Sequence, residues 1–176
     1  TVTKESTKDD YVIIAIDSTG IKVTNRGQWL RDKWNIKKKG YLKIHIAVDI
    51  KSKKILSLNV TDEHVHDSKM LPELVDEIID SDSITTIGKL LADGAYEGND
   101  IFRCLADNGI LPCIKVRRNA RVKKTNHIFR NLSVILQKNN LQDWKDSVSY
   151  DGQRWIAETV FSCLKKHLEN MFILLN

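Results

Sequence analysis

Two apolar runs each close on an aspartate. Val12-Ile13-Ile14-Ala15-Ile16 leads into Asp17, and Ile87-Gly88-Lys89-Leu90-Leu91-Ala92 leads into Asp93. An apolar run with little polar alternation is the pattern of a strand covered on both faces. Strands of that kind need helices above and below them. The rest of the chain supplies candidates in an order that fits: strands first, then helix, strand, helix, strand, an insertion and a last helix. The expected fold is α/β, a mixed sheet flanked by helices.

The expected elements follow from local pattern. The first strand covers 11–17, with a turn at Ser18-Thr19-Gly20 and a short strand at 21–24. Residues 41–50 place Leu42, Ile44, Ile46 and Val48 on one face, with Lys43 and His45 on the other. Lys53-Lys54 reads as a turn before another alternating strand at 55–60. Asp67 or Ser68 caps a helix carrying Met70, Leu71, Leu74, Val75, Ile78 and Ile79. Strands at 86–92 and 111–116 flank a helix at 97–108 that stops at Asn108-Gly109. In that helix Glu97 would favour the positive end. A basic loop at 117–125, a helix at 127–139 and a final helix at 153–172 complete the reading. Residues 1–10 are a lead-in to one domain spanning 11–172, with a basic insertion at about 117–150.

Asp17 and Asp93 would meet if their strands lay parallel and adjacent, at the sheet edge where open α/β folds place their sites. Glu158 joins them from the last helix, where Arg154, Glu158, Ser162 and Lys165 share one stripe of an otherwise largely buried surface. Two or three carboxylates at one edge suit hard divalent cations and phosphoryl transfer. Taken singly, each acid reads as an ordinary turn or helix residue; the combination raises all three.

With 176 residues, 41% hydrophobic and 29% charged, the chain has the length for a real core and is too apolar for disorder. No apolar stretch approaches the ~20 residues that span a bilayer. The net charge of +5 permits a polyanionic partner. The basic residues cluster. Arg31, Lys33, Lys37, Lys38 and Lys39 interleave with Trp34, and Arg117, Arg118 and Arg121 form a second group. Both suit DNA, through phosphate neutralisation and base stacking. Arg154 and Lys165 would touch phosphates near Glu158. Cys104, Cys113 and Cys163 form no C-x-x-C pair and read as reduced thiols packed in the core of a cytoplasmic protein. His64, His66 and Asp67 form an H-x-H-D cluster, better read as a helix cap near the active edge than as a transition-metal site.

Four segments carry a resemblance: "AIDSTGIKV", "KWNIKKKGYLKIHIAVDIKSKKILSLNVTDEHVHDSKML", "LLADGAYEGNDIFRCLADNGILPCIKVRRNAR" and "RWIAETVFSCLKK". Together they resemble the catalytic domain of DDE-class insertion-sequence transposases over about residues 12–168. The family's glutamate signature runs Tyr, two residues, Arg, three residues, Glu, six residues, Lys. Arg154, Glu158 and Lys165 match that spacing; its tyrosine position falls on Asp151, with Tyr150 displaced by one. The resemblance implies an RNase H-like fold with Asp17, Asp93 and Glu158 as catalytic metal ligands. It implies a Mg²⁺ (or Mn²⁺) cofactor, cleavage at transposon ends and strand transfer into target DNA. The implied partners are DNA and a second copy in a synaptic complex, with no membrane, in a nucleoid-associated setting. No helix-turn-helix is visible before Asp17, so a catalytic core, a truncated reading frame or a decayed copy is expected. The alternatives are an RNase H-like nuclease or resolvase and a non-catalytic DNA-binding remnant.

Overall fold

The computed structural model describes residues 11–22, 41–81, 86–150 and 152–174. Among these, strands β1 (Val12–Lys22), β2 (Tyr41–Asp49) and β3 (Ile55–Asp62) precede helix α1 (Asp67–Ile79). Strand β4 (Ile87–Ala92), a 3₁₀ turn (Gly94–Tyr96), helix α2 (Asn99–Asp107) and strand β5 (Leu111–Ile114) follow. Helices α3 (Ile128–Asn139), α4 (Leu141–Ser147) and α5 (Trp155–Leu174) end the described chain.

The five strands form one sheet in the order β3-β2-β1-β4-β5. β2 runs antiparallel to both β1 and β3, whereas β1, β4 and β5 are parallel. This is the expected mixed sheet flanked by helices. Alternation along β1 feeds two cores. Ile14 and Ile16 face Leu71, Leu74 and Ile78 of α1 and Phe102 and Leu105 of α2. Ala15 faces the opposite way, with Trp144 of α4 and Ile156, Ala157 and Phe161 of α5. These side chains are buried, and each large one contributes roughly 1.5–3 kcal/mol of transfer free energy. Coverage on both faces accounts for the unbroken apolar run of β1.

Several sequence expectations are corrected. β1 does not turn at Ser18-Thr19-Gly20; it runs through them to Lys22, paired throughout with β2. Asp17 therefore lies within a strand. The antiparallel ladder outweighs the turn tendency of those three residues. The cap of α1 is His66, whose side chain accepts the Ser68 N–H, in place of Asp67 or Ser68. Glu97 precedes α2, whose N-cap is Gly98. Over 155–164, α5 is amphipathic rather than largely buried: Trp155, Glu158, Ser162 and Cys163 are exposed. Only Cys113 of the three cysteines is fully buried. Helix α4, absent from the sequence reading, is capped by Asn140 and anchored by buried Trp144. Helix α3 stands where a helix was expected at 127–139.

Candidate active site

The register of the parallel pair brings the two aspartates level. Ile14 pairs with Leu90 and Ala15 with Leu91. Carried forward two positions, the same offset sets Asp17 beside Asp93, with adjacent strands about 4.8 Å apart. Asp17 shares the face of Ala15, on which α5 packs. From the turn just before α5, the guanidinium of Arg154 reaches both sides of the site. Its Nη1 donates to Asp17 Oδ2 at 3.1 Å and its Nη2 to Glu158 Oε1 at 2.6 Å. Residues 137 positions apart thus meet in one ion pair.

Burial pushes the Asp17 carboxyl above the usual range. The Ser18 N–H, at 2.9 Å from Oδ1, and Arg154 work against that shift, while the charges of Asp93 and Glu158 add to it. Asp93 Oδ1 accepts the Ala95 N–H at 2.8 Å and so starts the 3₁₀ turn. Glu158 is more than half exposed. The site is a set of hard oxygen donors whose mutual repulsion is incompletely offset by one guanidinium. Among the described residues, no three of His, Cys, Asp and Glu are grouped as they would be around a metal ion. The donor chemistry and the unrelieved negative charge nevertheless fit a divalent cation.

Ser18 points to the opposite face. Its Oγ donates to Asp67 Oδ1 at 2.6 Å, and Lys43 Nζ reaches the same oxygen at 2.7 Å. His45, wholly buried, approaches it to 3.9 Å through Nδ1 and contacts Thr61 Oγ1 through Nε2 at 2.9 Å. Burial acts to raise the Asp67 pKa, but the Lys43 and Ser18 hydrogen bonds and the neighbouring cations outweigh it and hold the carboxyl below its ordinary value. Burial lowers the His45 pKa, and Lys43 adds to that against the pull of Asp67. Tyr96 is buried nearby, and burial pushes its hydroxyl far up, with the charges of Asp67, Asp17 and Asp93 in support. It remains a neutral phenol. Sequence reading missed this network; the one available signal is that Ser18 directly follows an aspartate in a strand and must face away from it.

The sequence matches the family described as the transposase DDE domain over residues 8–171. The chain belongs to that family. Two solved structures show fainter likeness. One is a piggyBac transposase synaptic complex with hairpin DNA, at 13% identity and a TM-score of 0.41, covering 66% of this chain and 27% of that one. The other is a simian T-cell lymphotropic virus intasome in complex with a PP2A regulatory subunit, at 17% identity and a TM-score of 0.41, covering 84% and 48%. This chain thus spans less than half the length of either. The family assignment rests on the sequence match.

Only some of the other expected residues of this DDE domain can be placed. Arg31, Lys33, Trp34, Lys37, Lys38 and Lys39 lie outside the described residues, as do Asp151 and the side chain of Lys165. Arg117, Arg118 and Arg121 lie in the segment between β5 and α3, and all three are exposed. Arg117 Nε donates to Gly94 O at 3.0 Å, one residue from Asp93. An added Cβ at Gly94 would meet Lys115 O at 3.0 Å, a tight contact that this segment could accept only by shifting a few tenths of an ångström. The H-x-H-D cluster does not converge. His64 is exposed beside Glu63, His66 bonds Ser68, and Asp67 is engaged by Ser18 and Lys43. No helix among the described residues is long and apolar enough to cross a membrane.

Proposed function

We propose that this chain is the catalytic core of a DNA transposase that cuts transposon ends and joins the freed 3′ hydroxyl to target DNA. The observation that carries the reading is the Arg154 bridge between Asp17 and Glu158, with the charge of Asp93 felt at Asp17. Acids from β1, the end of β4 and α5 thus act on one another, in the order of the DDE signature. Asp17, Asp93 and Glu158 would hold Mg²⁺ or Mn²⁺, which when bound supplies activation of the attacking oxygen and stabilisation of the leaving one. Asp17 is aimed by its Ser18 N–H contact, and Asp93 by the turn it caps. Arg154 holds charge at the site and is positioned to meet a phosphate oxygen, since a guanidinium pairs with phosphate as it does with carboxylate. Lys165, Arg117, Arg118 and Arg121, together with Arg31, Lys33, Trp34, Lys37, Lys38 and Lys39, would extend the contact along the DNA. Two copies would act together in a synaptic complex at the nucleoid.

The test is a cleavage and joining assay on end-containing DNA with Mg²⁺ or Mn²⁺. The expected result is metal-dependent nicking followed by joined product, both lost in Asp17→Asn and Glu158→Gln. Nicking without joining would assign a nuclease, and full activity in either variant would refute the site.

A further inference from the structure

Beside the acidic edge the surface sinks into an open cavity of about 510 Å³. One side begins at Ala95 and Glu97, just beyond Asp93; the other is the segment between β5 and α3. Four cationic side chains line it, Arg117, Arg121, Lys123 and Arg130, against the single acid Glu97.

Glu97 is already engaged. Its Oε2 accepts the Arg117 N–H at 2.7 Å, and its Oε1 stands 3.6 Å from Arg130 Nη2, in a pair that is mostly buried. The remaining bonds brace the cations rather than neutralise them. Arg130 donates from Nε to Glu97 O at 2.9 Å and from Nη1 to Arg121 O at 3.2 Å. The Asn131 side chain clamps the Lys123 backbone from both sides, at 3.3 Å and 2.8 Å. Together with the Arg117–Gly94 bond, these make a formed wall out of what the sequence presents as a loose basic loop. Among the described residues no carboxylate is within ion-pair reach of Arg121 or Lys123. The cavity thus combines a net positive lining, fixed guanidinium donors and a volume within the ~300–1,000 Å³ of small-ligand sites. Preset guanidinium forks favour a phosphate group, and holding them in place beforehand lowers the ordering cost of binding.

We infer that this cavity seats a phosphate of the bound DNA strand other than the reacting one, and so fixes the strand's register against the acids. The inference rests on the reading of the chain as a DNA-acting domain. On that reading the reacting phosphate meets Arg154 and the cation that the acids would hold, and the cavity wall is tied to Gly94, the residue after Asp93.

The experiment is a salt series of duplex-DNA binding by fluorescence anisotropy, on the full chain and on Arg121→Gln/Lys123→Gln. Both side chains are exposed, and a thermal melt checks that the double variant folds. The expected result is binding weakened about tenfold at low salt, with the slope of log K against log salt shallower by about one for each phosphate no longer neutralised. In parallel, inorganic phosphate should shift the Arg117 and Arg130 Nε–Hε NMR signals of the parent chain and not those of the double variant. Tight DNA binding with an unchanged slope would overturn the inference and leave the DNA reading standing. Phosphate shifts without DNA binding would assign a free-phosphate site and overturn both. The absence of phosphate shifts, even with a changed slope, would overturn the seated phosphate in favour of diffuse attraction.

Discussion

Asp17 and Ser18 are neighbours on β1, yet their side chains enter opposite faces of the sheet and two different electrostatic settings. Above, Asp17 is partly buried, repelled by Asp93 and Glu158, and shares one guanidinium with Glu158. Its pKa is raised. Below, Ser18 feeds Asp67, which is also partly buried but has Lys43 and a hydroxyl to itself and a histidine close by. Its pKa is lowered. Each carboxylate has two donors; at Asp17 burial, aided by the two neighbouring acids, outweighs them, and at Asp67 the hydrogen bonds and cations outweigh burial. The lower cluster ties α1 to the strand; the upper one sets three acids against one guanidinium, a donor set that suits a cation.

The sharpest way to break this contrast is to remove an acid from the upper cluster. Glu158→Gln should lower metal-dependent DNA cleavage by about three orders of magnitude, as the loss of several kcal/mol of charge stabilisation implies, with the melting temperature nearly unchanged. Single-turnover cleavage alongside a thermal melt tests both halves. The lower cluster should respond in the opposite sense. Asp67→Ala leaves the Ser18 hydroxyl without its carboxylate acceptor and Lys43 with only Val65 O, and should cost about 1–3 kcal/mol in urea unfolding. Because the folded pKa of Asp67 lies below the unfolded one, its contribution is present above about pH 4 and is lost as pH falls through the folded value. The gap between parent and variant should therefore close in acid.

Much of this was legible in the sequence, and what was not has physical causes. Apolar runs located β1 and β4, and spacing located α1, because both patterns reflect burial directly. The level placement of Asp17 and Asp93 required a parallel pairing that no local pattern encodes. The continuation of β1 through Ser18-Thr19-Gly20 was hidden because turn propensity is local, while the ladder to β2 that overrides it pairs residues such as Thr19 and Ile44. Helix α4 is short and polar, and its one anchor, Trp144, reads as an isolated aromatic. The braced wall around Arg117 and Arg130 depends on Glu97, whose sequence context suggested only the start of a helix.

Two smaller effects refine the comparison. Asp17→Asn should raise the melting temperature at neutral pH, by less than Asp67→Ala lowers it. The folded pKa of Asp17 is raised, so ionisation penalises the folded state: the penalty is absent below about pH 4 and grows as pH rises through the folded value. Melts of parent and variant from pH 4 to 7 should diverge upward. The smallest effect is expected from Arg154→Lys, which gives up the two-pronged bridge but keeps the charge. With Glu158 largely exposed, the stability change should stay within about 1 kcal/mol by thermal melt.

The Arg154–Asp17 pair closes a span of 137 residues, and this has a consequence during synthesis. A growing chain makes β1 early, but the parallel partner that brings Asp93 beside it comes only after β2, β3 and α1, and the third acid comes only with α5. A nascent chain that stops after α4 would carry both aspartates and all five strands, yet neither Glu158 nor Arg154. Assembly of the acids is in this way tied to the emergence of α5, the helix that also closes the second core over Ala15.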